Sequence, residues 1–253
     1  MILCQESCLT FYRFELYDSF PGLVHGVTTR VGGISPQGLN LAFGPHDSAA
    51  NVQANLDLVS RAVGFDRLVC AKQVHGDRSL VVGTESDCDS DSGGEALGGF
   101  DALITADRGL GLLVTLADCQ GVVLFDPARN VVAVVHNGWR GSVADILGKT
   151  VFRLKKDFRV RPGDLLVGIS PSLGPCCAEF DNYTEELPPE FWKYRIRDQH
   201  FDFWDISRDQ LTAAGVRSEN IEVAEVCTVC DDAFFSFRRE KLSNRFGLMA
   251  GLA

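Results

Sequence analysis

Four short apolar runs close together at the centre constrain this chain most: residues 102–105, 112–116, 122–125 and 131–136. Each is bounded by Gly, Asp or Pro, and each is too short for an amphipathic helix. Runs of that length, apolar at consecutive positions rather than alternate ones, read as strands buried on both faces. The flanks add both element types. Strands are expected at 11–16 and 23–28, then a Gly/Pro-rich loop from 32 to 45. A helix follows over about 51–63, with Val52, Leu56, Val59 and Val63 on one face and Gly64 as its stop.

β-branched segments come next at 68–74 and 79–82. Beyond the centre, a helix is expected over 142–156 after the GWRG turn, and a strand at 165–169. A helix opened by Asp205 as N-cap and closed by Gly215 precedes strands at 221–226 and 245–249. With no internal repeat and no linker-like break, the expected architecture is one α+β domain over residues 1–253.

Charge narrows the partners. The chain carries 34 Asp+Glu against 24 Lys+Arg, a formal −10. Glu85, Asp87, Asp89, Asp91 and Glu95 fall in one stretch without a Lys or Arg, which is half of the net charge. Nucleic acid and anionic membrane surfaces both demand a basic footprint, and none appears as a run. No apolar run reaches the roughly 18–20 residues of a spanning helix. Gln5, Glu6 and Arg13 interrupt the place where a signal peptide would need its apolar core, so a cytoplasmic location is expected. A calcium loop starting at Asp87 would need Gly at its sixth position and Glu at its twelfth, where Ser92 and Gly98 stand. A solvated, mobile loop is the expectation for 85–95.

Nine cysteines and five histidines hold the chemistry. Cys4, Cys8 and Cys70 have no short-range partner of metal-ligand type and read as buried thiols. His75 in KQVHG, Cys119 in LADC and His136 in VVHNGWRG each follow an apolar run and open a loop. If those ends converge, two imidazoles and a thiolate form a three-ligand set for catalytic zinc with an open fourth position. The long spacings identify no compact motif, and from the residues alone packed, hydrogen-bonded core histidines are the leading reading at this point. Cys176–Cys177 and Cys227-x-x-Cys230 could form a four-thiolate site, but adjacent cysteines lack the gap that zinc knuckles use, so none is expected. No βαβ pattern surrounds Cys227-x-x-Cys230 to support a redox role. Arg30, Arg140 and Arg238–Arg239 are either structural ion pairs or a guanidinium fork for an oxyanion such as phosphate.

Taken together, TTRVGGIS, KQVHGD, DALIT, LADCQGVVLFD, VVHNGWRG, SPSLGPCCAEF and FFSFRR resemble the laccase-domain, or multicopper polyphenol oxidase-like, family, now regarded as zinc-dependent purine nucleoside phosphorylases. The resemblance spans about residues 25–245. It implies that His75, Cys119 and His136 are zinc ligands. It also implies phosphorolysis of adenosine, inosine and S-methyl-5′-thioadenosine, with adenosine deamination as a second activity. The implied fold is an α/β sandwich with mixed sheets, similar to cysteine hydrolases and toxin deamidases. The implied partners are purine nucleosides and inorganic phosphate. For that chemistry Arg30 and Arg140 are candidate phosphate ligands and Asp118 a candidate proton carrier.

Several positions depart from the family pattern: Asn137 stands for alanine, Gly121 for proline, Ala178 for tyrosine, and Asn55-Leu56 for Asn-Arg. These bear on rate and substrate preference more than on fold. Copper is the weaker metal, since five histidines are too few for a type 1 site plus a trinuclear cluster. Two rival functions remain. One is a metal-free cysteine hydrolase or deamidase, with Cys119 as nucleophile and His136 or His75 as base. The other is a non-enzymatic metal-binding protein that uses the acidic stretch as a contact.

Overall fold

The computed structural model describes residues 1–6, 9–83 and 99–253. The acidic residues from Glu85 to Glu95, with Cys8 and Cys88, lie outside them. All four central runs are strands, Ala102–Thr105, Leu110–Leu116, Gln120–Asp126 and Val131–Asn137, and nearly every residue in them is buried. They divide between two six-stranded sheets. The first runs, in spatial order, Ile2–Glu6, Leu9–Arg13, Leu23–Thr28, Phe246–Leu252, Leu110–Leu116 and Arg67–Cys70. The second runs Ile221–Val223, Leu166–Ile169, Gln120–Asp126, Val131–Asn137, Ala102–Thr105 and Ser79–Val81. Both are mixed. Their centres are antiparallel, while Arg67–Cys70, Ile221–Val223 and Ser79–Val81 join their neighbours in parallel.

The sheets pack face to face, and alternation along each strand explains why the runs are apolar throughout. Val123, Phe125, Val132 and Val134 point inward to meet Leu112, Val114, Leu248 and Ala250 of the other sheet. Val122, Leu124, Ala133 and Val135 point outward, under Ile146, Leu147, Val151 and Leu154 of the helix Ile146–Phe158. On the opposite outer face Leu113 and Met249 meet Val52, Leu56 and Val59 of the helix Ala49–Val63. The result is a helix–sheet–sheet–helix sandwich. Each such aliphatic burial contributes roughly 1.5–3 kcal/mol. At Gly121 the layers touch so closely that a Cβ would lie 2.9 Å from Leu248 Cβ. Among the described residues no helix is long and apolar enough to cross a membrane.

Local signals account for most boundaries. Ser48 caps the first helix by accepting from the Asn51 N–H, and Gly64 closes it in the left-handed region at φ 77°. The helix expected over 142–156 is two helices, Trp139–Val143 and Ile146–Phe158, broken at Asp145. That residue sits at φ 55° and caps the second helix through the Gly148 N–H. The N-cap expected at Asp205 is Asp202, which accepts from the Trp204 and Asp205 N–H groups, and the helix is Phe203–Ala213. The strand expected at 11–16 is Leu9–Arg13, and Ile2–Glu6 is an additional edge strand.

Candidate metal centre

At one end of the sandwich the chain crosses between sheets twice. Residues 71–78 carry it from Arg67–Cys70 to Ser79–Val81, and residues 117–119 from Leu110–Leu116 to Gln120–Asp126. His75 lies on the first crossing, Cys119 on the second, and His136 near the end of the strand Val131–Asn137. Each backbone is fixed locally. Gln73 donates to the Thr115 carbonyl at 2.9 Å and accepts from the Thr115 N–H at 2.8 Å, tying the His75 loop to the neighbouring strand. His75 and Asp118 adopt positive φ, 58° and 87°, a conformation that costs a non-glycine residue energy and persists where surrounding contacts impose it.

The ligand atoms of His75, Cys119 and His136 all lie within 4.8 Å of one another. The two rings meet edge to face with centroids 4.8 Å apart. His136 is buried, Cys119 half-buried and His75 exposed, so the cluster opens to solvent on one side. Behind it sits a residue that sequence reasoning passed over, Asp101 of DALIT, which is wholly buried. Its Oδ1 accepts from His136 Nδ1 at 2.8 Å and from the His75 N–H at 2.9 Å. Its Oδ2 accepts from the Val74 and Gly76 N–H groups at 3.1 and 2.8 Å. One carboxylate thus orients the His136 ring, holds the backbone of the His75 loop, and leaves His136 Nε2 as the free ring nitrogen.

Burial alone would raise the Cys119 thiol and lower the His136 imidazole, but each is overridden by the other. The facing imidazoles hold the thiol well below its ordinary value, and the thiolate with Asp101 holds His136 above its own. Two imidazoles, a readily formed thiolate and a carboxylate behind one ring fit a zinc ion at this point. Gly138 completes the cradle. A Cβ there would lie 3.0 Å from Cys119 Sγ and 3.0 Å from His75 Cδ2.

The cluster lines a cavity of about 810 Å³, within the range of small-molecule sites. Its walls carry the aromatic residues Trp139, Phe180, Phe203 and Phe237, the cations Arg238, Lys241 and Arg245, and the carboxylates Asp118, Glu179, Asp181 and Glu186. Two arginines expected at a phosphate site are not among the lining residues. Arg30 pairs with Glu240 at 2.5 Å beside the Phe235 ring, and Arg140 is exposed over the Trp139 ring. Arg245, which the sequence did not flag, lines the cavity. Burial lowers its guanidinium pKa, and the negative charges of Cys119 and Asp118 oppose that shift.

Asp118 also lines the cavity, with both oxygens engaged: Oδ1 accepts from Thr228 Oγ1 at 2.8 Å and Oδ2 from the Arg238 N–H at 2.7 Å. Asn137 joins a buried network with Gln120, Ser142 and Ser207. Leu56 packs in the outer core and Ala178 among Phe180 and Phe201, neither on the cavity wall. Contrary to the sequence expectation, the structure also gathers Cys176, Cys177, Cys227 and Cys230 into one cluster.

Fold and site together define a mixed α/β sandwich that carries a His/Cys/His cluster, backed by a carboxylate, in an open cavity. The chain belongs to the multi-copper polyphenol oxidoreductase laccase family, whose family model matches residues 24–253. It is 34% identical over 238 residues to a purine nucleoside phosphorylase, YlmD, of Geobacillus stearothermophilus, spanning 88% of this chain and 87% of that one. It is 33% identical over 219 residues, 80% of this chain and 82% of the other, to an adenosine deaminase, RL5, from an unknown prokaryotic organism. The crystal structure of YlmD from Geobacillus stearothermophilus matches with a TM-score of 0.87 at 32% identity, covering 99% of this chain and 98% of that one. Homologues so named support an enzyme of the purine nucleoside phosphorylase kind.

Proposed function

We propose that this chain is a zinc-dependent purine nucleoside phosphorylase acting on adenosine, inosine and S-methyl-5′-thioadenosine, with adenosine deamination as a second activity of the same cavity. The observation that carries this reading is the convergence of His75, Cys119 and His136 in a cavity that also offers aromatic faces and cationic side chains. Zinc held by those three residues supplies Lewis acidity.

The chain's own residues do the rest. Phosphorolysis needs a phosphate oxygen placed against ribose C1′; the C1′–N9 bond breaks and its electron pair leaves with the base. Arg245, Arg238 and Lys241 are the cationic donors available to hold phosphate, the role expected of Arg30 and Arg140 from sequence. Trp139, Phe180, Phe203 and Phe237 give the purine an aromatic wall to pack against. Glu179, Asp181 and Glu186 offer acceptors to ribose hydroxyls. Asp118 acts as a positioning residue rather than a proton carrier, because its oxygens already hold Thr228 and the Arg238 backbone against the Cys119 loop. Incubation with inosine and phosphate is expected to release hypoxanthine and ribose 1-phosphate in equal amounts. Hypoxanthine release that proceeds unchanged without phosphate overturns the reading.

One observation favours a second reading. Cys119, His136 and Asp101 form a thiolate–imidazole–carboxylate series of the kind that activates a cysteine nucleophile. A metal-free hydrolase predicts turnover that survives chelation and is abolished by alkylating Cys119. Protection of Cys119 from iodoacetamide by zinc, with activity lost on chelation, rejects it.

A further inference from the structure

We propose that Cys176, Cys177, Cys227 and Cys230 form a second metal centre, a mononuclear zinc bound by four thiolates. The four sulfurs lie within 4.8 Å of one another. Cys230 Sγ is 3.7 Å from Cys176 Sγ and 3.6 Å from Cys177 Sγ. A tetrahedron with Zn–S bonds of about 2.3 Å has edges of roughly 3.8 Å, which the two separations from Cys230 match and the 4.8 Å bound on the others allows. All four are free thiols, and with Cys230 equidistant from two neighbours no single disulfide satisfies the group. A polynuclear iron–sulfur cluster spreads its cysteines over different iron atoms, wider than this tetrad.

The scaffold is built for it. Residues 172 and 227 form a parallel bridge, with the Ser172 N–H on the Val226 carbonyl at 3.1 Å and the Thr228 N–H on the Ser172 carbonyl at 3.0 Å. The two cysteine-bearing turns therefore run side by side. In one, the Cys177 and Ala178 N–H groups both reach the Gly174 carbonyl. In the other, the Cys230 and Asp231 N–H groups both reach the Cys227 carbonyl, the tight turn of a C-x-x-C knuckle. The Gly174 N–H points at Cys227 Sγ from 3.3 Å, the outer hydrogen bond that a metal-bound thiolate accepts. Gly174 is needed there, since a Cβ would lie 2.8 Å from Cys227 Cβ. Adjacent cysteines serve because the turn at 174–177, not a two-residue gap, brings both sulfurs to one side. Arg239 braces the knuckle by donating to the Thr228 and Val229 carbonyls.

The centre is a staple rather than a catalyst. The two turns it joins also grip Asp118, through the Leu173 N–H on the Asp118 carbonyl at 2.8 Å and through the Thr228 hydroxyl on its side chain. Asp118 precedes Cys119, so the staple holds the loop of the first centre.

The test counts zinc in protein purified under reducing conditions and is independent of turnover. A His136→Ala, Cys119→Ala variant is expected to retain one zinc, and adding Cys227→Ser and Cys230→Ser to remove it. Should the latter fail to fold, cobalt loaded into the His136→Ala, Cys119→Ala variant gives a second readout: the intense thiolate-to-cobalt absorption of a tetrahedral four-sulfur site. A variant that holds no zinc and shows no such band overturns the proposal, as does a thiol titration that finds these cysteines paired as disulfides. Iron in place of zinc overturns the choice of ion.

Discussion

Replacing Asp101 by asparagine keeps the shape of the side chain and removes its charge, so it isolates what the buried carboxylate does. Oδ1 faces two donors, His136 Nδ1 and the His75 N–H, and Oδ2 faces two others, the Val74 and Gly76 N–H groups. Whichever way the amide of the Asp101→Asn variant turns, its NH₂ meets two N–H donors that it is unable to accept from. Two donors, on the Oδ2 side both part-buried, lose their partner, at about 1–3 kcal/mol each, and the remaining bonds lose their ionic component. We expect a loss of about 3–5 kcal/mol in unfolding free energy, read by urea denaturation. His136 also loses the partner that fixes its tautomer, so zinc affinity is expected to fall about 10–100-fold, read by chelator competition. A loss under about 1 kcal/mol, less than one unpaired buried donor costs, with unchanged zinc affinity refutes the role assigned to Asp101.

Other expectations follow from the same geometry. Gly138→Ala leaves a backbone at φ −79° that any residue tolerates, so the stability cost should be limited to the roughly 1–3 kcal/mol of a tight side-chain contact. The new methyl crowds Cys119 and His75, and zinc affinity should drop at least about tenfold; equal affinity refutes the close approach. Arg245→Gln should raise the KM for phosphate about 10–100-fold, the worth of one charge-assisted hydrogen bond, with a smaller change for inosine; the reverse pattern places phosphate elsewhere. His25 is buried, accepts the Phe14 N–H at 2.9 Å through Nε2, and titrates at about 4 because burial penalises its charged form. The unfolded chain protonates it first, near 6.5, so stability is full above that pH and falls by about 3 kcal/mol as pH drops to 4. A His25→Gln protein should lack that part of the slope in pH-resolved urea melts, and an identical slope refutes it.

Elements whose signal is local were legible in the sequence, and contacts made over long distances were not. The strands Gln120–Asp126 and Val131–Asn137 stood out because both faces are buried, which leaves no polar position to blur the run. Ile2–Glu6 carried no such signal, since its side chains are mostly exposed. The break at Asp145 was hidden by an apolar pattern continuing through it, while the cap is a single hydrogen bond. Asp202 and Asp205 offer the same capping chemistry three residues apart, and burial of Phe203 places the start at the earlier one.

At the site, His75, Cys119 and His136 stood out as candidates because each ends or follows an apolar run, and only the family resemblance joined them into a ligand set. Asp101 acts through residues 26 and 35 positions away, and the sequence offered only an acid before a strand. Arg30 stayed open between an ion pair and an oxyanion fork for the same reason: its partner Glu240 is 210 residues distant. The cysteine tetrad was discounted on spacing, and the turn that reconciles adjacent cysteines with one ion exists only in the fold.

The central claim, that His75, Cys119 and His136 hold the metal on which turnover depends, is tested most directly by a His136→Ala, Cys119→Ala variant whose folding is verified by circular dichroism. Phosphate-dependent release of hypoxanthine from inosine should be abolished while the unfolding transition survives. Turnover at the rate of the parent protein contradicts the account.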